Sequence, residues 1–360
     1  MFIKNSIKSE DGQIFESYKD IKQVCICYSL YPLLQYLLLM DEEIIKKHTY
    51  YFFGSEVAYN IRCHLPNSCF ETRPAETLLK KIRRIIKKLS LRKFKDYIYP
   101  FLKNAEIFAQ DFGYLSILIG SRSYSMLQEA PNHLNYVGQE DSAEFQRLKR
   151  KSKSLKGRIE SFLYGSIATG YDGNNSQCKA LFLTEETSAV VTQNKIIQVD
   201  SLKSLWEKSS ESKRKFILSV FDLTDDDTEF LAKYPILFLS QPWVNDHLIK
   251  EDDYVSLLKE SFEYYDQKEI IIKCHPRDTF EYEKYFPDIH VFSKPINMQL
   301  LMLVAFNTKK VVTFSSSAVD CLPENIEIDW FGTPIHKLER EIDDIPFIFN
   351  RAYNKINWKI

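Results

Sequence analysis

The chain has 360 residues and a formal net charge of −1, with 44% hydrophobic and 27% charged residues. That length exceeds one core and suits two domains, and the composition excludes a disordered chain. The near-neutral charge gives no sign of a nucleic-acid partner. Seven scattered cysteines, of which Cys25 and Cys27 stand too close for a zinc or redox pair, read as reduced cytosolic thiols. Residues 1–20 show no signal-peptide pattern, and the apolar run from Tyr28 to Met40 is too short and interrupted to span a bilayer.

In chain order, the first buried strand is expected over 23–28, stopped by Ser29, with a helix from about Pro32. A second strand over 49–53 is closed by Gly54. Two more are expected over 105–109 and 125–128, with a helix over 114–119 between them. Strand, helix, strand in that rhythm points to a parallel sheet covered on both faces. Between the second and third strands, over 78–95, apolar residues recur at Leu78, Ile82, Ile85, Ile86 and Leu89, and the remaining face is almost wholly cationic. This is an amphipathic helix, either core-packed with a solvated basic face or suited to an anionic membrane surface.

Residues 138–178 are polar and basic and carry Gly165, Gly170 and Gly173, which marks an inter-domain segment and divides the chain into 1–175 and 176–360. The basic run 147–158 within it reads as a mobile loop. A second series follows, with strands over 180–183, 236–239, 270–273, 290–292, 311–314 and 326–329. Its helices fall near 202–206, 252–262 and 298–304, and Asp225-Asp226-Asp227 reads as a polar loop before a helix. No internal repeat or low-complexity tract is present.

Two stretches of the second series carry chemistry. Lys273-Cys274-His275-Pro276-Arg277-Asp278 ends one apolar run, and Thr313-Phe314-Ser315-Ser316-Ser317 ends another, about forty residues later. In open α/β sheets, ligands collect outside the carboxyl ends of the strands. Serine hydroxyls and helix N-terminal amides bind anions, an imidazole beside them can give a proton or hydrogen bond, and Lys273 and Arg277 suit an anionic ligand. The plainer readings are a strand-ending proline and a helix N-cap cluster.

The pentapeptide around His275-Pro276 and the serine run resemble the "HP" and "SS" motifs of bacterial sialyltransferases. A third stretch, Met126 to Tyr136, resembles their acidic motif, with Ala130 and Pro131 standing where a second acid and a glycine are usual. Glu129 is left as its one carboxylate and Asn132 as its amide. Asp111 is a rival base, or a cap for the helix after it. Gln241-Pro242 resembles a further family feature, though Trp243 and not an acid follows it. Asn297, at the start of a helix, is placed near the ribose or base.

The chain thus resembles bacterial sialyltransferases of glycosyltransferase family 52 and the related polysialyltransferases, over roughly residues 105–320. The resemblance implies a GT-B fold, two doubly wound Rossmann-like domains facing across a cleft, with the acceptor side first and the CMP-sugar donor side second. It implies inverting transfer of sialic acid from CMP-sialic acid to a galactose-type hydroxyl of a lipooligosaccharide or capsule glycan, without metal or other cofactor. Glu129 would be the base, and His275 with Ser315, Ser316 and Ser317 would meet the leaving phosphate. The expected setting is the inner face of the cytoplasmic membrane, contacted through 78–95, with an acceptor that can be lipid-linked, no nucleic acid, and a homodimer allowed. A CMP-Kdo or other CMP-nonulosonic acid transferase keeps the same motifs. A non-catalytic nucleotide-sugar sensor is the reading from another class.

Overall fold

The computed structural model describes residues 2–4, 20–54, 57, 59–65, 67–71, 90, 91, 93–111, 114–131, 146, 150, 153–155, 157–159, 173, 175–187, 195–304, 307–316, 318, 319, 322, 323, 325–332 and 356–358. It divides into two compact units, Met1–Val220 and Phe221–Ile360. Each is built on its own mainly parallel sheet.

The first sheet has eight strands: β1 (Phe2–Lys4), β2 (Gln23–Cys27), β3 (Thr49–Phe53), β4 (Ser68–Glu71), β5 (Glu106–Ala109), β6 (Tyr124–Leu127), β7 (Cys178–Leu183) and β8 (Ile196–Val199). Their order is β1-β4-β3-β2-β5-β6-β7-β8, and β1 alone runs antiparallel to its neighbour. Strands β3 and β6 are buried at every position, as a parallel sheet covered on both faces requires. Aromatic rings fill one side: Tyr50, Phe52, Tyr99 and Phe101 lie within 4.7–6.5 Å of one another. Gly54 makes room for the Tyr28 ring, which a Cβ there would displace.

The expected division at 175 does not hold. Strand β7, assigned from sequence to the second series, pairs with β6, and β8 extends the same sheet. Helix Leu202–Lys208 likewise belongs to the first unit. The glycine-rich polar stretch before β7 is a connection within a domain, which composition cannot tell from a linker between domains. Most described residues of the basic run 147–158 are helical, with Ser154 N–H donating to Arg150 O and Arg158 N–H to Ser154 O. Of the basic segment 78–95, residues 78–89 and Arg92 lie outside the described residues.

The second sheet comprises β9 (Ile236–Leu239), β10 (Ile270–Lys273), β11 (His290–Phe292), β12 (Lys310–Thr313), β13 (Glu327–Trp330) and β14 (Ile356–Trp358), in the order β11-β10-β9-β12-β13-β14, all parallel. Chain progress runs outward from β9 through β10 and β11, then restarts on the other side at β12. That is the doubly wound order, and its switch point lies between β9 and β12. The motif-bearing strands β10 and β12 are not adjacent; β9 lies between them. Asp225-Asp226-Asp227 is not a loop but the first turn of helix Asp225–Leu231, whose N-cap Thr224 forms a capping box with Asp227.

Candidate active site

Registers bring the carboxyl ends of three strands of the second unit into line. Leu239 of β9 is paired with Lys273 of β10 and with Thr313 of β12. The residues that follow, Ser240, Cys274-His275 and Phe314-Ser315-Ser316, leave the sheet together at the edge where ligands collect. Thr313, wholly buried, stitches this edge: its hydroxyl donates to Leu239 O (3.2 Å) and accepts from Ser316 N–H (3.1 Å).

His275 to Asp278 form a β-turn closed by Asp278 N–H donating to His275 O (2.8 Å). Pro276 occupies the second position, where its fixed φ is pre-set for the turn. The half-buried imidazole folds over its own turn, with Arg277 N–H donating to Nδ1 (3.1 Å). A nitrogen that accepts cannot carry the proton, so the neutral ring is the Nε2–H tautomer. Burial, then the positive charges of Arg277 and Lys273, push its pKa down to about 4. At neutral pH the ring is thus an uncharged hydrogen-bond donor.

Lys273 is not on a cationic rim. It is buried, with Nζ donating to Cys274 O (2.5 Å), and burial brings its pKa down to about 8. Arg277 is exposed and paired with Asp246 (3.2 Å). Burial pushes the Cys274 thiol up to about 12, far from a nucleophile's range.

In the serine run, Ser315 is buried, and Ser316 Oγ accepts from Ala318 N–H (3.3 Å), a local capping contact. Ser317 lies outside the described residues, as does Asn132. Gln241 is half-buried and its carbonyl accepts from the Tyr254 hydroxyl (3.5 Å). Trp243, standing where an acid was sought, is a core residue with its ring 5.5 Å from Phe314, beneath the serine run. Asn297 precedes helix Met298–Val304; it is 9% exposed, and neither its Oδ1 nor its Nδ2 has a hydrogen-bond partner among the described residues. A buried amide left unsatisfied is costly, and a ligand's polar groups are one way to satisfy it.

The first unit has its own switch point, between β2 and β5. Asp111 stands there, two residues beyond β5 and wholly buried. Its Oδ2 accepts from the Tyr124 hydroxyl (2.5 Å) and from Gly173 N–H (2.7 Å). Glu129 follows β6, one strand further out, and is half-buried. Its loop is held by Gln128, which sequence reading passed over. Gln128 N–H donates to Gln35 Oε1 (2.9 Å), and its side chain joins Ala130 O (2.7 Å) and Thr184 N–H (2.8 Å). Ser240 was also missed as a site residue, because nothing local marks a serine 35 positions away as the partner of a turn.

Residues 144–328, just over half of the chain, match the profile of Glycosyltransferase family 52. The chain belongs to glycosyltransferase family 52. The family match spans β7 to β13, and so contains the His-Pro turn and the serine run. An uncharacterized protein of Haemophilus influenzae is 26% identical over 164 residues, 46% of this chain, and the matched region spans about half, 53%, of that relative. Among solved structures, the α/β-galactoside α-2,3-sialyltransferase of Photobacterium phosphoreum has a TM-score of 0.54 at 14% identity, covering 94% of this chain and 98% of that one. A 2,6-sialyltransferase of a Photobacterium species, solved with CMP and lactose, has a TM-score of 0.53 at 12% identity, covering 87% and 72%. At such identities the likeness is one of fold, the GT-B class, and the two doubly wound sheets agree with it.

Proposed function

We propose that this family-52 protein is an inverting, metal-independent sialyltransferase that moves sialic acid from CMP-sialic acid to a galactose-type hydroxyl of a cell-surface glycan. The observation that carries the proposal is the His-Pro turn and the serine run at the carboxyl ends of the two strands flanking β9. The sialyltransferases that share the fold, one of them solved with CMP and lactose, support the donor and acceptor classes.

In this reading the acceptor hydroxyl attacks the anomeric carbon and loses its proton to a carboxylate base. The bond from that carbon to the phosphate oxygen breaks, and CMP leaves with the electron pair. His275 Nε2–H and the hydroxyls of Ser315 to Ser317 donate hydrogen bonds to the phosphate as its charge grows. The neutral ring stabilises that charge without surrendering its proton. Asn297 supplies donor and acceptor to ribose or base. Glu129 is the proposed base by its place in the acidic motif, and Asp111 is its rival by standing at the switch point.

Release of CMP from CMP-sialic acid on addition of lactose or another galactoside is the deciding assay. Turnover with CMP-Kdo in its place would keep the fold and change the sugar. Binding of CMP-sialic acid with no CMP released to any acceptor would make the protein a sensor.

A further inference from the structure

Beneath the His-Pro turn lies a buried polar cluster that the transfer reaction itself does not use. Ser240, 2% exposed and the first residue past β9, stands at its centre. Its Oγ accepts from His275 N–H (2.9 Å) and donates to Asp278 Oδ2 (2.5 Å). The same Oδ2 accepts from the Tyr282 hydroxyl (2.7 Å), which in turn meets the Tyr254 hydroxyl (3.0 Å). Asp278 Oδ1 accepts from Phe280 N–H (3.1 Å). The turn is therefore gripped at its first residue through the main chain and at its last through a carboxylate, and one hydroxyl of the neighbouring strand joins the two grips.

This bears on the imidazole because, among the described residues, the one hydrogen bond to the ring comes from Arg277 N–H, the third residue of the same turn. If the turn shifts, that bond is lost and the ring can rotate or change tautomer.

We propose that Ser240 and Asp278 are positioning residues that clamp the His-Pro turn and so hold His275 as the Nε2–H donor aimed at the leaving phosphate. Neither touches substrate; each acts through His275. The inference rests on the proposed CMP-sugar reading for the identity of the phosphate, but the clamp itself does not.

The alternative is that the cluster merely satisfies buried polar groups, as most buried polar groups are satisfied. The two are separated by watching the ring. Long-range ¹H–¹⁵N spectra of the full chain should show wild-type His275 as a neutral Nε2–H imidazole at pH 7. Ser240→Ala, which leaves His275 N–H without its acceptor, and Asp278→Asn, which removes the charge at constant size, should each give mixed tautomers. CMP affinity, read by titration calorimetry, should fall about tenfold in either, the scale of one well-placed hydrogen bond to a charged group. The KM for the acceptor should stay within twofold.

Folded variants with an unchanged His275 tautomer and unchanged CMP affinity overturn the inference, as does a wild-type ring found as Nδ1–H. Should Ser240→Ala fail to fold, the milder Asp278→Asn carries the same test. If the wild type does not bind CMP, the donor reading fails, and the spectra still decide the clamp.

Discussion

At the residue scale, the chemistry turns on protonation states set by burial. His275 titrates near 4 in the folded chain, against an ordinary value of about 6.5 when unfolded. Between those values the unfolded state binds more protons, so stability is fully present above about pH 6.5 and falls as pH descends toward 4. Comparing denaturant midpoints at pH 7 and pH 5 checks the sign: His275→Gln should lose less on acidification than the wild type. A larger loss in the variant would contradict it. The base is tested by two substitutions that keep shape and remove proton-accepting power. Glu129→Gln should leave CMP affinity intact and lower turnover by on the order of a hundred- to ten-thousand-fold. If Glu129→Gln turns over normally and Asp111→Asn does not, the base sits at the switch point instead, held by Tyr124 and Gly173.

At the element scale, the helix over 93–98 presents an unusual outer face. Lys95 points inward, its Nζ donating to Ile117 O (2.6 Å), and Leu91 and Tyr99 are buried beside it. Tyr97, on the opposite face, is 87% exposed, and Phe94 and Ile98, on its flank, are 48% and 45% exposed. Upstream in the sequence stand Lys80, Lys81, Arg83, Arg84, Lys87 and Lys88. Exposed aromatics next to a cationic stretch are the composition that binds anionic lipid, and we propose that 78–95 and this face meet such a membrane. No described helix is long and apolar enough to cross one. The protein should sediment with phosphatidylglycerol vesicles at low salt and be released as salt rises, since screening weakens each cation's contribution of about 1 kcal/mol. Equal binding by a variant with Arg83, Arg84, Lys87 and Lys88 changed to Gln would remove the basic segment from the proposal. Equal binding by Phe94→Ala/Tyr97→Ala would remove the apolar face.

At the scale of the whole molecule, a ligand that binds only the folded chain stabilises it by mass action. CMP at about a hundred times its Kd should contribute about 2.7 kcal/mol, in EDTA as in magnesium, with UDP giving much less. Turnover should likewise survive EDTA, because a serine and imidazole site neutralises phosphate with hydrogen-bond donors. Loss of activity in EDTA, restored by magnesium or manganese, would reject the metal-independent mechanism. A preference for UDP would reject the donor.

The α/β class and most strands of the second sheet were legible in the sequence, several to the residue, because runs such as Ile236–Leu239 and Ile270–Ile272 are apolar throughout and bounded by polar breaks. The sequence also located His275-Pro276 and the serine run, since proline and serine clusters mark strand ends locally. Which strands are neighbours is settled by tertiary contacts alone. Strand β7 joins the first sheet, β9 stands between the two motif strands, and Ser240 becomes the partner of Asp278. Local pattern records which faces of a segment are buried, and burial is the same whichever strand lies alongside. Pairing is settled by contacts between residues distant in the chain. The inward turn of Lys273, from expected rim cation to buried ammonium, has the same origin. A lysine at a strand's end looks identical in sequence whether it faces water or a carbonyl, and only the packing above it chooses.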